Sequence, residues 1–271
     1  MASRVSAAIV GLLVIVAVAG LAVAAPWMGL PSPYDLDVAA MLGSPSSAHL
    51  LGTDELGRDL LSRTLHAGRI SLVVAATAAG VGLFVGTSIG VAAAYFGGLR
   101  DLILMRLMEV LFSFPAILLA IVVMASLGTS LFNAMLAIGI VFIPGFARLA
   151  RAATAVVLRE SYIEAARAVG MSHARIMWRE ILPNITAPLL AETAVALSYA
   201  ILLESALSFL GLGAQPPEPS WGNMVNVGRG FLSQAPWMSI VPGMAIFLTV
   251  LGFNLLGDGM RDWHDPRIRR A

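Results

Sequence analysis

The sequence contains no cysteine and no lysine: all 17 basic residues are arginines, and charged side chains fill only 12% of 271 positions. Missing cysteine excludes disulfides, thiol nucleophiles and thiolate metal sites, and leaves the redox compartment open. Missing lysine excludes a nucleotide-binding P-loop, a Schiff base and a lysine general base. Soluble domains carry about a quarter charged residues. With 58% hydrophobic residues and a mean hydropathy of +0.86, this chain must use lipid as part of its solvent. The net charge of +1 points to no partner; the placement of the charges says more.

A helix needs about 20 apolar residues to cross ~30 Å of hydrocarbon. Val5 to Ala25 is uncharged and long enough for a first span, and Arg69 and Arg100 bracket a second, Ile70 to Leu99. The run Val110 to Ala147 is too long for one helix and carries a turn signal at Ser126-Leu127-Gly128-Thr129-Ser130. It predicts two antiparallel spans, the first starting near Leu102 with Arg106 and Glu109 one turn apart at a membrane edge. Further spans are expected from about Pro183 to Leu210 and from about Trp237 to Leu256. The expected fold is an all-α polytopic membrane protein with six transmembrane helices.

With both termini inside, 13 of the 17 arginines face the cytoplasm, and Arg58, Arg63, Arg69 and Arg229 lie outside. Arg4, Arg267, Arg269 and Arg270 are among the inner set. The positive-inside rule therefore gives N-in, C-in. Ala22-Val23-Ala24 resembles a secretory cleavage site, but the apolar core exceeds the usual ~7–15 residues, so an uncleaved span is expected. The expected division is residues 1–68, a first span plus outer loop, and 69–271, a five-span core with a cytoplasmic loop at about 159–183. No repeat of about 20–50 residues is visible.

Gly86-Thr87-Ser88-Ile89-Gly90 matches a nucleophile elbow, a motif that needs a strand-to-helix turn and a histidine base. It lies within an expected span, and His49, His66, His173 and His264 fall outside the spans. Gly82, Gly86 and Gly90 instead recur every four residues, a flat face for close helix packing. His49, Asp54, Glu55, Asp59 and His66 could be drawn as an outer metal site. An amphipathic helix on the outer face, Thr53 to Leu65, fits better: Thr53 caps it, Asp54 and Glu55 suit its positive end, and Leu56, Leu60 and Leu61 share one side. Thr53, Asp54, Arg58 and Asp59 are the residues expected at the extracytoplasmic face, with Arg58 and Asp59 solvated or paired.

Glu192 and Glu204 lie in the fifth span, where a carboxylate faces protein or water. Twelve residues apart, they point about 120° from each other and cannot share one site on a straight helix. Each either pairs with an arginine or hydroxyl of another helix or lines a solute path. In the cytoplasmic loop, Ser161 and Glu164 form a capping box and Ala165, Ala166 and Ala168 propagate a short helix. Gly170 suits a left-handed cap, Ser172 caps a second helix, and Pro183 fits the start of the fifth span. From the residues alone, an interfacial helix on lipid head groups and a rigid docking element with a small-residue face both stand.

Glu164-Ala165-Ala166, then Gly170, then Leu182-Pro183 resembles the EAA loop of permease subunits in ATP-binding-cassette (ABC) importers. Glu180 stands where that loop usually has isoleucine, with Ile181 one place later. The segments 49–63, 204–224 and 252–267 are similar to those of the C-type permease of dipeptide, oligopeptide and nickel importers. The resemblance implies a type I importer fold in a bacterial inner membrane. It implies a heterodimer with a B-type permease, two ABC ATPase subunits, an extracytoplasmic substrate-binding protein and membrane lipid as partners, and no nucleic acid. ATP and magnesium would sit on the ATPases, with no cofactor on this chain. Glu164, Ala165, Ala166, Gly170, Ile181, Leu182 and Pro183 would couple it to them. The rival reading is a proton-coupled secondary transporter using Glu192 or Glu204.

Overall fold

The computed structural model describes the backbone of residues 2–264 and the side chains of residues 6–261. Arg267, Arg269 and Arg270, the side chain of Arg4, and the end of the 252–267 segment lie outside the described residues. Helix α1 spans Ala2–Ala24. An irregular outer segment leads to α2 (Leu60–Val81), which continues through a π-helical stretch, Gly82–Gly86, into α3 (Thr87–Phe96). Then come α4 (Gly98–Phe112), α5 (Ala116–Leu127) and α6 (Leu131–Val157). The cytoplasmic α7 (Ser161–Ala168) turns into α8 (His173–Arg175), a π-helical stretch Ile176–Ile181, and α9 (Leu182–Phe209). Short α10 (Trp221–Gly228) and α11 (Trp237–His264) complete the described chain.

Among the described residues, five helical units are long and apolar enough to cross a membrane, and the bent pair α4–α5 meets the same test only when its two helices are taken together. Counted as one broken span, that pair completes the expected six, with revised limits. The third is not one straight helix: α4 and α5 meet at 94°. Pro115 disfavours a helical Phe114 and opens α5 as its N-cap residue. The turn expected at 126–130 is there, with Gly128 at φ +89° and the Ser130 side chain accepting from Asn133 N at 3.1 Å.

The second span begins at Leu60, ten residues before Ile70, and this overturns the expected surface helix from Thr53 to Leu65. Thr53 does not cap a helix; its buried hydroxyl bonds Ala40 O and accepts from Gly43 N. Gly57, at φ +75°, interrupts the chain, and Asp59 is the true cap, accepting from Ser62 N at 2.8 Å. The boundary expected at residue 68 falls inside unbroken α2. Gly97 and Gly98, at φ +60° and +57°, end this span at Phe96 rather than Leu99.

The fifth span likewise starts early, at His173. Pro183 sits inside a continuous helix instead of opening one. The π turn before it relaxes the i→i−4 register where the proline lacks an N–H, and Asn184 Nδ2 bonds Glu180 O at 2.6 Å. The core is built from small residues, as suits helices that cannot rely on the hydrophobic effect between them. A Cβ on Gly82 would meet Phe142 Cβ at 2.5 Å and one on Gly86 would meet Ile143 O at 2.6 Å, while Gly90 lies directly on Ala147 O. The glycine face is a packing face against α6. Ser88, the supposed nucleophile, bonds its own helix at Phe84 O, 2.7 Å.

Candidate functional site

The cytoplasmic loop is a helical corner held by local chemistry. Glu160 occupies the N-cap of α7, without a side-chain bond, so Ser161 is the first helical residue and the expected capping box with Glu164 does not form. The other end is as expected. Gly170 adopts φ +77°, Gly170 N bonds Arg167 O at 3.0 Å and Met171 N bonds Ala166 O at 3.1 Å, a Schellman corner. Ser172 sits at the next N-cap, again without a side-chain bond.

Burial divides the expected loop residues into two sets. Ala166 and Ile181 are buried with Ile163 and Ile176, and this small core fixes α7 against the stretch that becomes α9. Glu164, Ala165, Gly170 and Pro183 are exposed, and Leu182 is half-buried. Val169 and Trp178, 78% and 72% exposed, are further large apolar side chains left open on the corner and the stretch that follows it. The two alanines thus differ: Ala165 presents itself outward, whereas the small size of Ala166 serves packing within the chain.

Contacts that the sequence does not reveal tie the corner to α3. Tyr95 Oη lies 2.8 Å from His173 Nδ1, the Arg167 guanidinium lies 5.5 Å from the Tyr95 ring centre, and Phe96 lies edge-on to His173. By sequence His173 is only a histidine outside the spans, 78 positions from its partner. Nearby, Arg151 of α6 forms a two-pronged pair with Asp101 of α4, both distances 2.5 Å.

Both carboxylates of the fifth span pair with other helices, and with different ones. Glu192 accepts from Arg261 of α11 at 3.0 Å, with both side chains part-exposed. It also borders a groove of about 310 Å³ between the α4–α5 bend, α6 and α9, edged by Phe112, Phe114, Phe142 and Tyr199. Glu204 is 1% exposed. It accepts from Ser71 Oγ of α2 at 3.0 Å and from Ser208 Oγ, one turn on, at 2.7 Å. Buried there, it ties α2 to α9.

On the outer side, Asp54 is a buried hub. It accepts from the backbone of Leu56 and Arg58 and pairs with Arg58 Nε at 2.6 Å and Arg63 Nε at 3.2 Å. Arg63 also donates to Pro33 O at 2.8 Å, and His49 pairs with Asp59 at 3.0 Å. Tyr34 donates to Glu218 at 3.1 Å, and burial, with that carboxylate alongside, raises its phenol above the usual value. Trp221 reaches Thr64 O at 2.9 Å, fastening α10 to α2. The polar residues expected in a surface helix instead knit a cap over the outer ends of the spans.

Residues 86–270 match the family described as binding-protein-dependent transport system inner membrane component. The dipeptide transport system permease protein DppC of Alkalihalophilus pseudofirmus is 42% identical over 262 residues, covering 97% of this chain and 86% of that protein. The glutathione transport system permease protein GsiD of Pectobacterium atrosepticum is 45% identical over 247 residues, covering 90% and 82%. The di/tripeptide transport system permease protein DppC of Pseudomonas aeruginosa is 40% identical, covering 96% and 88%. Among solved structures, the inward-facing methionine ABC transporter MetNI aligns at TM-score 0.56 and 19% identity, over 72% of this chain and 93% of that one. That last likeness concerns the fold alone.

Proposed function

The chain belongs to the family of binding-protein-dependent transport system inner membrane components, and we propose that it forms one half of a path for short peptides, driven by separate ATPase subunits through its cytoplasmic corner. It is a multi-pass permease subunit of an ABC importer in the inner membrane. Peptide cargo is supported by the relatives, which are named as permeases for dipeptides, di- and tripeptides, and glutathione.

The observation that carries the coupling role is the rigid union of corner and span. The buried Ile163, Ala166, Ile176 and Ile181 lock α7 onto a helical unit that runs unbroken from His173 to Phe209. A push on the exposed Ala165 side therefore moves the whole fifth span. Glu164 and Ala165 form the contact surface for an ATPase cleft, Gly170 sets the angle, and Ile181, Leu182 and Pro183 transmit it. A B-type permease completes the path, two ATPases bind ATP and magnesium, and an extracytoplasmic binding protein delivers the peptide. This subunit has no nucleotide site of its own, in keeping with its lack of lysine. Nucleotide-driven closure of the ATPases rocks the spans between two rigid arrangements. The aromatic groove beside Glu192 is this chain's contribution to the path.

Ala165→Trp tests the assignment. The ring should block docking, so the ATPases fail to co-purify, or they hydrolyse ATP without import. Normal import and normal co-purification would remove it.

A further inference from the structure

We propose that Tyr95 and His173 form a transmission joint, two positioning residues that make the second span follow the corner when the ATPases close. The inference rests on the coupling role assigned above to the corner. The corner is already solid with the fifth span through its buried isoleucines. The second span already packs on the fifth through α2 and the Ser71–Glu204 bond, but its inner part, α3, leans by its glycine face on α6 and stops at the Gly97–Gly98 turn. Tyr95 stands on its last turn, directly beneath the corner.

The geometry grips one ring from both arms of the corner. Arg167, before Gly170, lies over the Tyr95 ring at 5.5 Å, and His173, after Gly170, meets its hydroxyl at 2.8 Å. The His173 ring also stands edge-on to Tyr95 at 5.6 Å and to Phe96 at 6.2 Å. Beyond Phe96, Arg100 at the start of α4 stacks on that ring at 5.0 Å. A displaced corner must therefore drag α3 with it or break a hydrogen bond and a cation–π contact together.

The assembled complex, with both ATPases, the partner permease and the binding protein, is reconstituted in proteoliposomes and given a labelled dipeptide. The quantity read is ATP hydrolysed per dipeptide imported. Tyr95→Phe keeps the ring and removes only the hydroxyl. It should raise that ratio about fivefold, equivalent to about 1 kcal/mol of lost linkage, with melting and ATPase co-purification unchanged. His173→Asn, whose amide can replace Nδ1, should stay within about twofold of wild type. Tyr95→Phe combined with His173→Ala should be no worse than His173→Ala alone, because the hydrogen bond is already lost there. A wild-type ratio in Tyr95→Phe, or a loss confined to melting or assembly, overturns the joint. If the corner itself were misassigned, Ala165→Trp would import normally; if only the joint were wrong, Ala165→Trp would uncouple while Tyr95→Phe behaved as wild type.

Discussion

Glu204 offers the clearest separation of a structural tie from a transport role. Its carboxylate is 1% exposed and holds two hydroxyls, Ser71 on α2 at 3.0 Å and Ser208 on its own helix at 2.7 Å. Hydrogen bonds between membrane helices average ~0.6 kcal/mol and reach ~1.7. Glu204→Ala removes both acceptors, strands two buried hydroxyls and opens a void, which together should cost about 2–4 kcal/mol. Glu204→Gln keeps the volume and one carbonyl acceptor, and the second serine can turn to accept from the amide, so about 1 kcal/mol or less is expected. Thermal unfolding in detergent should fall by about 5–10 °C for Ala and by about 2–4 °C or less for Gln. Neither change should alter the apparent affinity for cargo. A Gln variant that melts like wild type, yet loses uptake of cargo with a free amine and keeps that of N-acetylated cargo, would refute the tie.

Gly90→Val drives a side chain into Ala147 O and should abolish stable folding or lower stability by several kcal/mol, whereas Gly80→Ala, with open space around it, should be neutral or gain up to ~1 kcal/mol; comparing melting of the two separates packing from helix propensity. At Gly170 the surrounding space is open, so Gly170→Val should suffer from its left-handed backbone alone, ~1 kcal/mol or more, and Gly170→Asn should recover part of the lost import rate. Arg261→Gln breaks a part-exposed pair with Glu192 and should shift stability by ~1 kcal/mol at most; a larger fall in a denaturation series would show that the pair is worth more than its exposure suggests.

Span number, glycine packing and the left-handed Gly170 were legible because each depends on local pattern: apolar length, a four-residue spacing, a glycine after a helix. The limits of the spans were less so. Arg63 was expected outside the second span, yet it lies buried within α2, neutralised by Asp54 and bonded to Pro33 O. Burying an arginine this way needs an irregular segment folded back from thirty residues earlier, which periodicity does not encode. Pro183 marked a helix start by its usual preference, but a π turn upstream let the helix run through it. The capping box failed because the helix began one residue earlier than its motif requires, with Ser161 already helical and Glu160 at the N-cap. The Tyr95–His173 and Glu204–Ser71 contacts join residues far apart in the chain, so only the packed helices bring them together.

The most direct measurement of the central claim is uptake of a labelled dipeptide into proteoliposomes, with the partner permease, the binding protein and the ATPases added or withheld. Import should require ATP and all of these partners, and an imposed proton gradient should not replace ATP. Uptake by this chain driven by a proton gradient, without ATPases or ATP, would contradict the account.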